Sequence, residues 1–154
     1  MSDAVRVTVF RRLDCCVPDF TGKNVAVARL LREAKVRLGD KVKIEVVPAA
    51  TRPERLTYYV GMAEALEAAG YELPFARNVQ EWARLRHELD ALRAGLAPGP
   101  AVMARLRQIS IVFFMIPPVI AVNGRAAFVS DVPSLQELSA AVASAGPDRQ
   151  EDGQ

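Results

Sequence analysis

Two alternating segments flank a helical one in residues 1–48, and that order limits the fold more than any other feature of the chain. Val5, Val7 and Val9 alternate with Arg6 and Thr8, a period of two that predicts a half-buried strand. From Thr21 the period lengthens. Val27, Leu30, Leu31, Ala34 and Leu38 recur at helical spacing, and Gly39 supplies a stop. Val42, Ile44 and Val46 then alternate with Lys43 and Glu45, so a second strand ends near Pro48. Strand, helix and strand in succession predict a βαβ unit, with its strands parallel and a right-handed crossover. The expected class is α/β.

The middle of the chain predicts helices. Thr51-Arg52-Pro53-Glu54 has the pattern of a capping box with proline in the first turn. Leu56, Tyr59, Val60, Ala63 and Leu66 form one face of the helix it opens, and Gly70 ends it. After Asn78, Trp82, Leu85, Leu89, Leu92 and Leu96 make a narrow apolar seam in steps of three and four. Pro98-Gly99-Pro100 breaks it. Val102, Met103, Leu106, Ile109 and Phe113 fit a further helix, while Ile109 to Met115 alone also fits a buried strand. Near the C-terminus the signals sharpen. Pro117-Pro118 precedes Val119 to Val122, and Asn123-Gly124 predicts a tight hairpin returning through Arg125 to Ser130. Ser134-Leu135-Gln136-Glu137 is a second capping box, with Leu135, Leu138 and Val142 facing inward and Gly146-Pro147 closing the helix.

Composition excludes several classes of function. The 154 residues are 51% hydrophobic and 25% charged, which suits a globular chain. A formal net charge of +2 gives no pull toward nucleic acid or an anionic membrane. The longest apolar run, Ile109 to Val122, is broken by Pro117-Pro118 and is too short to span a bilayer. Met1 to Ala4 shows neither a basic nor an apolar leader region, so a cytoplasmic location is expected.

The chemistry points to the only two cysteines, Cys15 and Cys16, which follow the first strand. Adjacent Cα atoms lie about 3.8 Å apart, below the usual disulfide range of about 4.4–6.8 Å. A Cys15–Cys16 bridge would be strained and easily reduced. The thiols are therefore read as free, metal-bound or transiently oxidised, with burial as core residues the plain alternative. A strand-to-helix junction favours reactivity, because helix amides can face sulfur there. Arg11 and Arg12 would favour the thiolate; Asp14 and Asp19 would oppose it. His87 sits among Arg84, Arg86, Glu88 and Asp90, the pattern of a solvated helix face.

The element order, with its two blocks Val5 to Val47 and Pro117 to Val142, resembles the thioredoxin fold. The second block is Pro117-Pro118-Val119-Ile120-Ala121-Val122-Asn123-Gly124-Arg125, followed by Val132-Pro133-Ser134 and Glu137-Leu138. It is similar to small thioredoxin-like and glutaredoxin-like proteins. The resemblance implies a cis proline that faces the active thiol and shapes the substrate groove. Counting back from Asn123-Gly124 puts it at Pro118; a longer thioredoxin-type strand puts it at Pro117. The resemblance also implies a single domain, with a βαβ half over 1–48 and a ββα half over 116–146. Residues 49–115 are then a helical insertion in the same domain, and 147–154 a disordered tail.

The motif departs from Cys-x-x-Cys, in which one thiol attacks and the second resolves. Counting from the first strand makes Cys15 the attacking residue and leaves Pro18 in the resolving position. Matching Cys16-Val17-Pro18-Asp19 makes Cys16 the attacker, with Asp19 in the resolving position. Cys16 is preferred because it lies nearer the expected helix start. Thr8-Val9-Phe10, four residues and Cys15-Cys16 also resemble arsenical-resistance metallochaperones and repressors of the same fold. Those complete a trigonal sulfur site for As(III) with a third cysteine, absent here. A metal or metalloid on Cys15 and Cys16 would need sulfur from a second subunit or a small thiol.

The leading expectation is thiol–disulfide exchange through Cys16 or Cys15, without a cofactor, on a protein or low-molecular-weight thiol or disulfide. The alternatives are thiophilic ion binding by the cysteine pair and a non-catalytic interaction protein. The Trp82 to Leu96 seam packs within the insertion or forms a homodimer contact.

Overall fold

The computed structural model describes residues 4–13, 22–71, 87, 90–91, 94 and 116–147. Contacts within the chain cluster into two compact units, residues 1–47 with 116–154, and residues 48–115.

The first unit is a mixed α/β layer. Strand β1 (Val5–Phe10), helix α1 (Lys23–Leu38) and strand β2 (Val42–Val46) form the βαβ unit, with a short 3-10 turn at Gly39–Lys41. Strands β3 (Val119–Val122) and β4 (Arg125–Val129) form the hairpin, and a closing helix spans Leu135–Ala145. The sheet order is β2-β1-β3-β4. β1 is parallel to β2, antiparallel to β3, and β3 is antiparallel to β4.

Alternation decides which face is covered. Val5, Val7 and Val9 pack with Ile120 and Val122 against Val27, Leu30 and Ala34 of α1 and Leu138 and Val142 of the closing helix. These residues form one core, each burying apolar area at about 25 cal/mol per Å². Arg6, Thr8 and Phe10 lie on the opposite face by the same period of two. There Phe10 pairs with Val119 and Thr8 with Ala121, and Phe10, Val119 and Ala121 are buried. The hydroxyl Oγ1 of Thr8 is also buried and has no hydrogen-bond partner among the described residues.

The hairpin is held by Asn123 and Gly124, both at positive φ (50° and 81°). That is the backbone a two-residue turn requires if it is to follow the strand twist. Asn123 also works at a distance: its Oδ1 accepts from the Arg6 backbone N–H at 2.9 Å, and its Nδ2 donates to the Gly146 carbonyl at 3.1 Å. One turn residue thus ties the start of β1 to the end of the closing helix.

In the second unit, helix α2 spans Arg52–Ala68. Its capping box is formed: Glu54 N–H donates to Thr51 Oγ1 at 3.2 Å, and Thr51 N–H donates to Glu54 Oε1 at 2.8 Å. These bonds, the Thr51 backbone one foremost, hold the Glu54 carboxyl below its ordinary pKa. At the C-terminus Tyr71 N–H reaches the Leu66 carbonyl and Gly70 N–H the Glu67 carbonyl, a Schellman pair with Gly70 at φ 91°. The expected face Leu56, Tyr59, Val60, Ala63 and Leu66 is buried. Burial extends further, to Tyr58, Met62 and Ala65, so apolar surface surrounds more of α2 than one stripe. The Tyr58 and Tyr59 rings meet edge to face at 5.1 Å. His87 is helical and exposed, as its charged neighbours predict.

Among the described residues no helix is long and apolar enough to cross a membrane.

Candidate functional site

The candidate site is organised by where β1 ends and β3 begins. Phe10, the last residue of β1, pairs with Val119, the first of β3. The backbone leaving at Arg11 and the backbone arriving at Pro118 therefore meet at one end of the sheet. The Pro117–Pro118 peptide bond is cis, so the cis residue is Pro118, and both prolines are buried. The shorter count back from Asn123-Gly124 gives this position.

Ser130, at the end of β4, fixes the approach to Pro118. Its N–H donates to the Pro118 carbonyl at 2.8 Å, and its hydroxyl donates to the Ile116 carbonyl at 2.7 Å. Ser130 itself has φ 64°. A non-glycine residue there costs roughly 1–2 kcal/mol. Two hydrogen bonds of about 1 kcal/mol each offset that.

The start of α1 is tied to the same end of the sheet. Gly22, at φ 70°, precedes the first helical residue, and the next two side chains reach out in different directions. Lys23 Nζ donates to the Ser130 carbonyl at 2.6 Å. Asn24 Nδ2 donates to the Arg12 carbonyl at 2.9 Å. Arg12 is buried at 8% exposure, whereas Arg11 is exposed. Pro118, Ser130, Lys23, Asn24 and Arg12 thus form one connected frame around the two ends of the segment that carries the cysteines.

Cys15 and Cys16 lie outside the described residues, as do Asp14, Asp19, Thr21 and the Trp82 to Leu96 seam apart from single positions. The helical stretch read between Thr21 and Gly39 spans Lys23–Leu38. Of the predicted site residues, Pro117 and Pro118 lie among the described ones. Among the described residues no group of three or more His, Cys, Asp or Glu side chains could hold a metal ion.

No protein-family model, curated protein or solved structure matches the chain. The Pro117–Pro118 junction supplies a buried, conformationally restricted backbone at the sheet end from which the chain leaves β1 toward Cys15 and Cys16. A separate concavity of about 650 Å³ lies between the end of α1 and the start of the closing helix. It is lined by Arg37, Leu38, Lys41, Leu135, Gln136 and Ser139 and shares no residue with the frame.

Ser130, Lys23 and Asn24 were not predicted as site residues. The polar pair after Gly22 marks a helix start, but nothing local tells that Lys23 meets a carbonyl 107 positions away.

Proposed function

We propose that the chain is a thioredoxin-like thiol redox protein, acting on a protein or low-molecular-weight disulfide through Cys16, with Cys15 the alternative nucleophile. The observation that carries this reading is the register of Phe10 with Val119. It brings Pro118 to the strand end from which the Cys15-Cys16 segment departs. The sheet order β2-β1-β3-β4 supports it further, since it joins a βαβ half to a ββα half through β1 and β3.

In the proposed reaction the Cys16 thiolate attacks one sulfur of a disulfide R–S–S–R′. A Cys16–S–S–R bond forms, the substrate S–S bond breaks, and R′ leaves as a thiolate that takes up a proton. An external low-molecular-weight thiol, supplied as thiolate, then attacks the mixed disulfide and displaces Cys16. That thiol leaves joined to R as a mixed disulfide, so one turnover exchanges one thiol into the disulfide; a second thiol attacking the released mixed disulfide completes the reduction, and no bound cofactor is needed. Cys15 is a poor resolving group, because a bond between neighbouring residues is strained. Pro118 forms the wall against which the substrate chain is aligned. Such chemistry fits the cytoplasm, where thiols stay reduced.

Alkylation tests the first step. Iodoacetamide at neutral pH should modify one cysteine several times faster than free cysteine, with the fast site at Cys16 by peptide mass. Both thiols reacting at the free-cysteine rate would count against an activated thiolate.

A further inference from the structure

One edge of the sheet carries a self-complementary pattern. β2 ends the order β2-β1-β3-β4, and among the described residues no strand pairs with its outer side. None of its five residues is buried, and Lys43, Glu45 and Val46 are exposed. Val47 N–H donates to the Val9 carbonyl at 3.0 Å, so Val47 turns its polar groups toward β1. Alternation along the strand then directs the N–H and C=O of Val42, Ile44 and Val46 away from the sheet.

We propose that β2 pairs antiparallel with β2 of a second copy of this chain, about a two-fold axis at Ile44. The parity matches. Ile44 faces its own copy and exchanges both backbone bonds, and Val42 does the same with Val46 of the other copy. Lys43 and Glu45 occupy the intervening positions, where side chains stand closest across an antiparallel pair. Lys43 of each copy therefore faces Glu45 of the other, twice, on one face of the joined sheet. Val42 and Ile44 already pack against the core on the other face. The contact is isologous and closes at two subunits.

A lysine on an edge strand ordinarily discourages pairing with other strands. Here Glu45 supplies the counter-charge, and it does so in register only for this strand's own copy. The other edge lacks the pattern. β4 has a single charge, Arg125, which would face Val129 in a symmetric pair about Ala127, and its register slips opposite Ile120 and Ala121. Five residues of edge make a small contact, so the dimer should be weak and concentration-dependent.

Sedimentation equilibrium of the full chain under reducing conditions, which removes intermolecular disulfides, tests this. The wild type should shift from monomer to dimer as concentration rises toward about 1 mM. Lys43→Glu and Glu45→Lys each place like charges opposite twice and should weaken the dimer about tenfold. The double variant Lys43→Glu/Glu45→Lys should restore wild-type association, as should an equimolar mixture of the two single variants. Both positions are exposed, and circular dichroism checks that the variants fold. A monomer at every concentration would overturn the proposal. So would open-ended polymers, single variants that associate like the wild type, or a double variant that stays monomeric.

Discussion

Replacing Asn123 by alanine removes three contributions at one position. Its carboxamide accepts from Arg6 N–H at 2.9 Å and donates to the Gly146 carbonyl at 3.1 Å, and both bonds are part-buried. Each is worth about 1 kcal/mol. Asn123 also sits at φ 50°, which asparagine tolerates and alanine does not, at a further cost of about 1 kcal/mol. The expected loss for Asn123→Ala is therefore about 3 kcal/mol, or a fall in Tm of roughly 6–12 °C. Asn123→Asp separates the terms. It keeps the acceptor for Arg6 and the left-handed backbone but loses the donor to Gly146, so it should cost about a third as much, roughly 1 kcal/mol. Urea unfolding followed by circular dichroism gives both values. A loss under about 1 kcal/mol for alanine, or equal losses for the two variants, would refute the idea that Asn123 links β1 to the closing helix.

Three further outcomes follow from single residues. Leu138 is 1% exposed in the core, and Leu138→Ala should cost about 2–5 kcal/mol in the same urea experiment. Thr8→Val removes a buried hydroxyl that has no partner among the described residues and keeps the shape, so it should raise stability by about 1 kcal/mol; a loss of stability would show that the hydroxyl is satisfied. The Glu54 carboxyl has a lowered pKa in the folded chain, so its contribution is full above the unfolded value and disappears as pH falls through the folded one. Glu54→Gln should therefore be less stable than wild type at neutral pH. The gap should close below the ordinary glutamate value of about 4.3, and a gap independent of pH would contradict the capping role.

The elements that were legible in the sequence are those written in local chemistry. Val5, Val7 and Val9 announce β1 by alternation, and Thr51-x-x-Glu54 and Ser134-x-x-Glu137 each open a helix with the bonds their spacing implies. Asn123-Gly124 sets a turn because both residues accept positive φ. The candidate site is less legible, because its frame is assembled from distant segments. Ser130 reaches Ile116 and Pro118, and Lys23 reaches Ser130, through contacts no local period encodes. Gly22 adopts a left-handed backbone immediately ahead of α1, and Gly39 follows its end. Burial of Tyr58, Met62 and Ala65 was hidden for a related reason: a single apolar stripe is what helical periodicity reveals, and α2 buries more than that.

The proposed activity is disulfide exchange through a thiol of the Cys15-Cys16 pair. Reduction of a small disulfide by excess low-molecular-weight thiol, compared for the wild type, Cys15→Ser and Cys16→Ser, tests it most directly. The account predicts that Cys16→Ser abolishes catalysed turnover while Cys15→Ser retains most of it. Turnover no faster than the uncatalysed reaction in the wild type, or wild-type turnover in both variants, would contradict it.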